Sequence, residues 1–224
     1  MSHTWALIPV KSPEHSKTRL ASVLQPQECA NLSRAMFMDV LAAMATAAHI
    51  DRIAVLTNDD EIAGIAKKLG HLVLADECEG ELCDGLNTAS QQLKALGAET
   101  VLIIPGDLPT ITSPDIDRLL TTHSGGLSIC PAIRDGGTNA LVCSPPDALP
   151  FQFGKDSARK HLEQAAQRGM ETTRLTMQPF FRDIDTPDDL NWLAAQQSSS
   201  NTARFLHQSG IAARLGPGHT GAPA

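Results

Sequence analysis

The stretch TVLIIPGDLP, from Thr100 to Pro109, decides the fold class of this 224-residue chain. Its first five residues, TVLII, are rich in apolar and β-branched side chains, which is typical of a strand buried on both faces of a sheet. Pro105 and Gly106 end the run, and Asp107 follows them directly. Because a strand of this kind needs helices on both sides, the stretch predicts an α/β protein.

The segments around this stretch repeat the strand pattern, with helical patterns between them. Further strands are predicted in WALIPV (5–10), RIAVLT (52–57), HLVLA (71–75), LSICPAI (127–133), NALVCS (139–144) and TTRLTM (172–177). Apolar residues at helical spacing occupy most of the intervals. We therefore expect a three-layer α/β sandwich with a mixed, mainly parallel sheet, in which ligands bind at the carboxyl ends of the strands.

The composition argues against several classes of protein. A net charge of −7 disfavours a general nucleic-acid binder, which displays a basic surface. No apolar run is long enough to cross a bilayer, and the N-terminus lacks an export signal, so a cytoplasmic protein is expected. The five cysteines are an odd number without a C-x-x-C pair, which predicts reduced, mostly buried thiols at Cys29, Cys78, Cys83, Cys130 and Cys143.

The last strongly predicted helix is TPDDLNWLAA (186–195), with Thr186 as its N-cap and Pro187 in its first turn. From Ser198 to Ala224 the periodicity is lost and Ser, Gly and Pro become frequent. We expect one folded domain over residues 1–197, followed by a flexible C-terminal tail over residues 198–224 with at most one short helical turn.

Carboxylates gather in two places. Asp107 follows the end of a buried strand, where an acid is costly to desolvate without a cation, although an Asp that caps a local turn is an alternative. In RDIDTPDD, Asp183 and Asp185 are two residues apart, so in an extended segment they point the same way. Asp188 and Asp189 are explained as first-turn residues of the next helix. Three converging carboxylates predict a site for a hard divalent cation, with Mg²⁺ as the first choice.

Basic and small residues supply two further signals. Lys11, Lys17 and Arg19 follow the first strand, where basic side chains can hold nucleotide phosphates, although a solvated loop is an alternative. The glycines required for a Walker loop or a dinucleotide fingerprint are absent from this loop. In RDGGTNALV (134–142), paired glycines let the backbone approach a ligand closely, and Thr138 and Asn139 offer a hydroxyl and an amide group. A hairpin turn between two strands explains the glycines equally well.

The segment FGKDSARKHL (153–162) places Gly154 and Ser157 at a helix start, where free backbone amides attract an anion, although an ordinary cap is an alternative. None of the eight histidines lies in a motif that requires a general base, and apart from His15 in the basic loop they are interpreted as surface or cap residues.

Taken in order, the motifs IPVK…KTRL, LNTA, IPGDLP, GGTN, FGKDS and DIDTPDDL resemble the CofC/FbiD family of guanylyltransferases in coenzyme F-420 biosynthesis. The resemblance runs from about Leu7 to Leu193 and implies the nucleotidyltransferase form of the glycosyltransferase-A fold. It also implies transfer of GMP from GTP to the phosphate of 2-phospholactate, phosphoenolpyruvate or 3-phosphoglycerate, with release of pyrophosphate. A homodimer is a further implication.

The resemblance implies roles for individual residues. The metal ligands are Asp107, Asp183 and Asp185, and the residues that hold the acceptor phosphoacid are Thr138, Gly154 and Ser157. The nucleotide-binding residues are Lys11, Lys17, Arg19 and Asn87, of which Lys17 is also catalytic together with Asp107. We hypothesise that two Mg²⁺ ions hold the phosphates for in-line attack at the α-phosphorus of GTP.

Two alternatives remain open at this point. A different nucleotidyltransferase of this fold, acting on a sugar phosphate or on the molybdenum cofactor, or a glycosyltransferase with a D-x-D metal motif would use the same acids. A receiver-like signalling domain also gathers acids at strand ends, but it places them directly after the first strand, where this chain has Lys11.

Overall fold

A computed structural model describes residues 3–11, 17–76, 82–196 and 198–215. It contains one seven-stranded mixed sheet with the strand order β3-β2-β1-β4-β6-β5-β7. The strands are β1 (Thr4–Pro9), β2 (Arg52–Leu56), β3 (Leu72–Leu74), β4 (Thr100–Ile103), β5 (Gly126–Pro131), β6 (Thr138–Ser144) and β7 (Thr172–Arg174). Strand β6 is antiparallel to both of its neighbours, and the other paired strands are parallel.

Helices cover both faces of this sheet, which confirms the predicted three-layer α/β sandwich. They are α1 (Pro26–Ala45), α2 (Asp60–Lys68), α3 (Leu82–Ala95), α4 (Ser113–Thr122), α5 (Ser157–Gln167), α6 (Pro187–Ala194), α7 (Asn201–Gln208) and α8 (Ile211–Arg214). Alternate residues of β1 separate the layers: Ala6 and Ile8 pack with α1, α2 and α4, whereas Trp5 and Leu7 pack with α3 and α5. Burial on both faces explains why these strands are apolar at nearly every position.

The chain reverses its direction of travel across the sheet between β1 and β4. It runs outward from β1 to β2 and β3, and then returns to place β4 on the other side of β1. Ligands of open α/β sheets bind at such a switch point, beyond the carboxyl ends of the strands. The loops that carry Lys17 and Asp107 leave β1 and β4 at this place.

The boundaries of three elements differ from the sequence prediction. Strands β3 and β7 are three residues each, shorter than the apolar segments suggested. The pattern SPDIDRLLTTH (113–123) predicts a helix with Ser113 as its N-cap and Pro114 as its first residue. In the structure Ser113 is the first helical residue, because Thr112 is the N-cap and forms a capping box with Asp115. Cys29, Cys130 and Cys143 are free and buried, as predicted, whereas Cys78 and the side chain of Cys83 lie outside the described residues.

The prediction of a flexible tail from Ser198 is wrong for residues 201–214, because these residues form α7 and α8. Leu206 and Ile211 are fully buried in an apolar cluster with residues of α1 and α6. Asp39 of α1 accepts hydrogen bonds from the backbone amides of Asn201 and Thr202, at 2.7 and 2.8 Å, and so caps α7 from outside the helix. Residues 216–224 lie outside the described part of the chain.

Candidate active site

The candidate site lies at the carboxyl edge of the sheet, where loops from four strands meet. Lys17 follows β1, Asp107 follows β4 and Arg134 follows β5. Asp183 and Asp185 lie between β7 and α6. The backbone amide of Ile184 donates to the carbonyl oxygen of Asp107 at 3.1 Å, which joins the two acidic segments directly.

Asp107, Asp183 and Asp185 converge as the sequence predicts. One carboxylate oxygen from each residue lies within 4.8 Å of the other two, and all three residues are half-buried. An all-oxygen group of this kind suits a hard divalent cation. Without a cation, three carboxylates so close together would repel one another strongly, so the charges around them decide the state of the site.

Lys17 supplies the first of these charges. Its ammonium group donates to Asp107 Oδ2 at 2.7 Å and to Asp185 Oδ1 at 2.6 Å, and only 7% of its side chain is exposed. Burial acts to lower the pKa of Lys17, but the charges of Asp107 and Asp185 outweigh it and raise the pKa above its ordinary value. The backbone of Lys17 has a φ of +60°, which is rare for a residue other than glycine. A strained backbone at a point of charge contact supports a functional role for this residue.

Arg134, which is not among the predicted site residues, supplies the second charge. Its guanidinium group donates to Asp189 Oδ2 at 2.6 Å and makes a short contact with Asp183 Oδ2. A weaker contact of 3.4 Å reaches Asp185 Oδ2. The available signal was position, because Arg134 follows a strand whose carboxyl end lies at the same edge as that of β4.

The acids respond differently to these surroundings. Burial, together with the charges of Asp107 and Asp185, raises the pKa of Asp183 to about 6, against the opposing effect of Arg134. Burial also acts to raise the pKa of Asp185, but the ammonium group of Lys17 and then the guanidinium of Arg134 outweigh it and lower the pKa. The cluster therefore remains short of positive charge on the side of Asp183.

Asp188 and Asp189 have the helix-start positions that the sequence predicts, but they differ in environment. Thr186 caps α6, and Asp189 Oδ2 accepts from the backbone amide of Thr186 at 2.9 Å and from its hydroxyl at 2.7 Å. Asp189 is buried and also binds Arg134, whereas Asp188 is exposed. Asp189 thus links the helix cap to the candidate site.

Thr138 and Ser157, which are predicted to hold the acceptor, lie together, but their side chains are buried. Thr138 Oγ1 lies 2.8 Å from Ser157 Oγ and 3.2 Å from His161 Nδ1. The backbone amide of Gln152 donates to His161 Nε2 at 2.8 Å, so the neutral ring carries its proton on Nδ1 and donates to Thr138. Burial lowers the pKa of His161 to about 4. The interpretation of His161 as a surface or cap residue is therefore wrong.

The loop before α5 lies against the turn after β5. The amide of Asp156 donates to the carbonyl of Asp135 at 3.1 Å, and the amide of Ala158 donates to the carbonyl of Gly136 at 3.1 Å. Gly136 has a φ of +67°, and a Cβ there would lie 3.3 Å from Asp156 Oδ1. Gly154 is exposed with a φ of +115°, so its backbone is open to solvent. The two motifs GGTN and FGKDS thus form one surface.

The remaining predicted residues lie around this centre in different states. Arg19 is largely exposed, and its guanidinium nitrogen lies 3.9 Å from Asp185 Oδ2. Lys11 is exposed and lines a pocket of about 320 Å³ together with Lys17, Asp107 and Asp185. Asn87 is engaged elsewhere, because its side-chain oxygen accepts from the backbone amide of Phe151 at 2.7 Å. Residues 12–16 of the basic loop, including His15, lie outside the described residues.

Comparison with known families gives a match over nearly the whole chain. Residues 4–221 match the family model described as guanylyl transferase CofC like. A phosphoenolpyruvate guanylyltransferase of Sphaerobacter thermophilus is 36% identical, over 85% of this chain and 92% of the relative. A 2-phospho-L-lactate guanylyltransferase of Methanothermobacter thermautotrophicus is 32% identical, over 92% and 90%. A 3-phospho-D-glycerate guanylyltransferase of Colwellia psychrerythraea is 33% identical, over 86% and 91%.

Solved structures share the fold. A candidate nucleotide-diphospho-sugar transferase from Desulfovibrio desulfuricans G20 superposes with a TM-score of 0.78, at 22% identity, over 96% of this chain and 99% of its own. A cytidylyltransferase from Leptospira borgpetersenii superposes with a TM-score of 0.60, at 15% identity, over the full length of both chains. These similarities confirm the predicted nucleotidyltransferase form of the fold.

Proposed function

We propose that this chain, which belongs to the CofC-like guanylyl transferase family, transfers GMP from GTP to the phosphate of a small three-carbon phosphoacid and releases pyrophosphate. The reaction is a step in the biosynthesis of coenzyme F-420. One structural observation carries the proposal: three carboxylates from distant parts of the chain meet at the carboxyl edge of the sheet, next to a buried lysine.

The donor set fits a magnesium ion. Asp107, Asp183 and Asp185 offer three oxygen ligands, and each side chain keeps part of its surface exposed, between 16% and 32%. Bound Mg²⁺ neutralises phosphate charge and polarises the phosphorus that is attacked. Metal dependence is part of the proposal, and the use of two ions stays a prediction.

The residues of the chain itself have to overcome repulsion between two polyanions. Lys17 is the best-placed cation on the side of β1, because it already contacts two of the three acids. Its exchange of a carboxylate for a phosphate of GTP would keep the ammonium group paired throughout. Lys11, Arg19 and Asn87 remain predicted nucleotide-binding residues, and Thr138, Gly154 and Ser157 remain predicted acceptor-binding residues.

A general base is unnecessary for this reaction. The attacking group is a phosphomonoester, whose second pKa is about 6, so it is mostly ionised at neutral pH. Among the described residues, the carboxylates of the three acids form ion pairs with Lys17, Arg19 and Arg134, not with a histidine. The charge pattern of the site matches a reaction limited by positioning and charge rather than by proton transfer.

The experiment uses the purified full chain with GTP, MgCl₂ and each of the three phosphoacids in turn. The expected result is release of pyrophosphate together with a product whose mass equals the acceptor plus a guanylyl group. Release that requires a sugar phosphate, or that occurs with CTP but not with GTP, would replace this proposal by the other nucleotidyltransferase function. The acceptor that supports the highest kcat/KM identifies the substrate.

Two further expectations accompany the proposal. Among the residues that the structure describes, no helix combines the length and apolar character needed to cross a bilayer. The homodimer and the cytoplasmic location stay predictions. The receiver-like alternative has lost its support, since the curated relatives of this chain are guanylyltransferases.

A further inference from the structure

The guanidinium group of Arg134 binds two different kinds of carboxylate with its two terminal nitrogens. One nitrogen donates to Asp189, which belongs to the cap of α6. The other contacts Asp183 and Asp185, which belong to the candidate metal site. A planar guanidinium presents its donors to two partners in a rigid fork, whereas the three donors of an ammonium group rotate and fix no such geometry.

The Asp189 side of this arrangement is fixed by other bonds. Asp189 is 7% exposed, and its Oδ2 accepts from both the amide and the hydroxyl of Thr186. Together with a longer bond of 3.3 Å from the backbone amide of Asp185, these bonds hold Asp189 at the start of α6 without using a carboxylate of the candidate metal site. Asp189 therefore stays in place when the charge at the metal site changes, and it can hold one end of Arg134 throughout.

The other side of the arrangement is exchangeable. A divalent cation and the second guanidinium nitrogen would both draw on the carboxylates of Asp183 and Asp185, and their positive charges repel each other. Entry of the cation therefore removes the carboxylate partners of that nitrogen. A released donor next to the cation is suited to an incoming anion, for which charge-assisted bonds are short and strong.

We propose that Arg134 binds the phosphate of the acceptor. Before a cation arrives, Arg134 offsets the charge of Asp183 and Asp185. It then exchanges these two carboxylates for the acceptor phosphate, while Asp189 keeps hold of its other nitrogen. This inference rests on the proposed function, because it assumes that a metal ion occupies the acid cluster and that a phosphoacid is the second substrate.

The position of Arg134 assigns it to the acceptor rather than to GTP. Arg134 lies in the turn between β5 and β6, four residues before Thr138, and that turn bonds to the loop of Gly154. Lys17 approaches the acids from the opposite side, after β1. The two cations thus mark two sides of the cluster, and the acceptor-binding residues implied by the family resemblance lie on the side of Arg134.

The first measurement is Mn²⁺ binding in the absence of substrates, and the EPR signal of the free ion reports how much Mn²⁺ is unbound. R134A is expected to bind Mn²⁺ about tenfold more tightly than the wild-type protein, because it lacks the charged competitor for Asp183 and Asp185. Arg159 provides the matched control, since it is exposed on α5 and forms an ion pair with Glu163 at 2.7 Å, so R159A should leave the affinity unchanged. Unchanged or weaker Mn²⁺ binding by R134A overturns the exchange.

The second measurement separates the two substrates. The KM of the phosphoacid is expected to rise about tenfold or more in R134A, whereas the KM of GTP changes little. R134K keeps the charge but loses the fork, so it should bind Mn²⁺ like the wild-type protein and still show a raised KM for the phosphoacid. R134K also serves if R134A does not fold. An unchanged KM for the phosphoacid in both variants overturns the assignment.

The anchoring role of Asp189 has its own control. D189N is expected to raise the KM of the phosphoacid, because Arg134 is no longer held by a charged partner, whereas D188N alters the adjacent exposed acid and should not. Equal effects of D189N and D188N contradict the anchor. If the wild-type protein transfers GMP but R134A behaves like R159A, only this inference fails; if the wild-type protein transfers no GMP, the proposed function fails while the Mn²⁺ comparison still stands.

Discussion

At the scale of single residues, the site contains more negative than positive charge. Lys17 and Arg134 face four aspartates, and burial together with the neighbouring acids holds the pKa of Asp183 at about 6 in spite of Arg134. A divalent cation relieves this repulsion without any change of fold. The proposed metal ligands should therefore matter far more for turnover than for stability.

The first prediction concerns Asp107 and Asp185. Replacing either by Asn is expected to lower kcat/KM at saturating Mg²⁺ by about a hundredfold or more, because a ligand of the charge-neutralising ion is lost. Circular dichroism and thermal unfolding should show a folded protein, since Lys17 retains one carboxylate partner in each variant. D188N is the control, and near-normal turnover by D107N or D185N would remove the metal assignment.

The sequence predicted that the three acids converge but not which cations pair with them. Asp107 is visible because it interrupts an apolar strand end, and Asp183 and Asp185 are visible because their spacing gives them a common direction. No neighbouring sequence feature identifies Arg134, because its role depends on its contact with residues some fifty positions away, such as Asp183. Ion pairing across a sheet is decided by strand order, and a single sequence does not contain that order directly.

At the scale of elements, α5 shows how a helix can bury a polar residue in place of an apolar one. Helical spacing of the apolar residues predicts an inner face made of Ala158, Leu162, Ala165 and Ala166. The structure instead exposes Ala166 and fully buries His161. The ring of His161 lies edge-on to Phe153 at 5.4 Å and satisfies both nitrogens with hydrogen bonds. These two hydrogen bonds form only when β6 and the loop before α5 pack around the ring of His161.

The second prediction follows from the pKa of His161, about 4 in the folded protein against a usual value of about 6.5. Between these values the unfolded chain binds a proton that the folded chain does not, so the stability of the folded state falls as the pH is lowered. The slope of unfolding free energy from this residue is expected to reach about 1.4 kcal/mol per pH unit. H161Q should lose this slope.

The measurement is urea unfolding of H161Q, K68Q and the wild-type protein at several pH values from 7 to 5. K68Q changes an exposed lysine at the end of α2 and should keep the wild-type slope, because His161 and the charges around it are unchanged. His123, whose pKa is also lowered by burial, contributes equally to all three proteins, so the difference isolates His161. A slope in H161Q equal to that of the wild-type protein contradicts the neutral, buried state of the ring.

At the scale of the whole molecule, the C-terminal helices and the candidate site share one apolar cluster. This cluster contains Leu20, three residues after Lys17, and Ile184, which lies between Asp183 and Asp185. It is completed by Leu206 and Ile211 from α7 and α8. The packing of these short helices therefore bears on two segments that carry site residues. The sequence alone does not predict this packing, because α7 is only eight residues long and its apolar side chains are buried against residues far away in the chain.

The third prediction tests that coupling with L206A. Leu206 is fully buried, so its truncation is expected to lower the free energy of unfolding by about 2 to 5 kcal/mol through lost transfer energy and a residual cavity. The same substitution at Leu96, which is 57% exposed, should change stability by less than about 0.5 kcal/mol. Urea unfolding compares the two variants directly.

The consequence for the site is measured at a temperature at which both variants are fully folded. L206A is expected to bind Mn²⁺ and GTP more weakly than L96A, because Leu20 and Ile184 lose a packing partner and the carboxylates of Asp107 and Asp185 are held less firmly around Lys17. If L206A is destabilised yet binds Mn²⁺ and GTP as tightly as L96A, α7 contributes to folding alone. If both properties change together, residues 201–214 belong to the functional unit, and a domain boundary at residue 197 does not describe it.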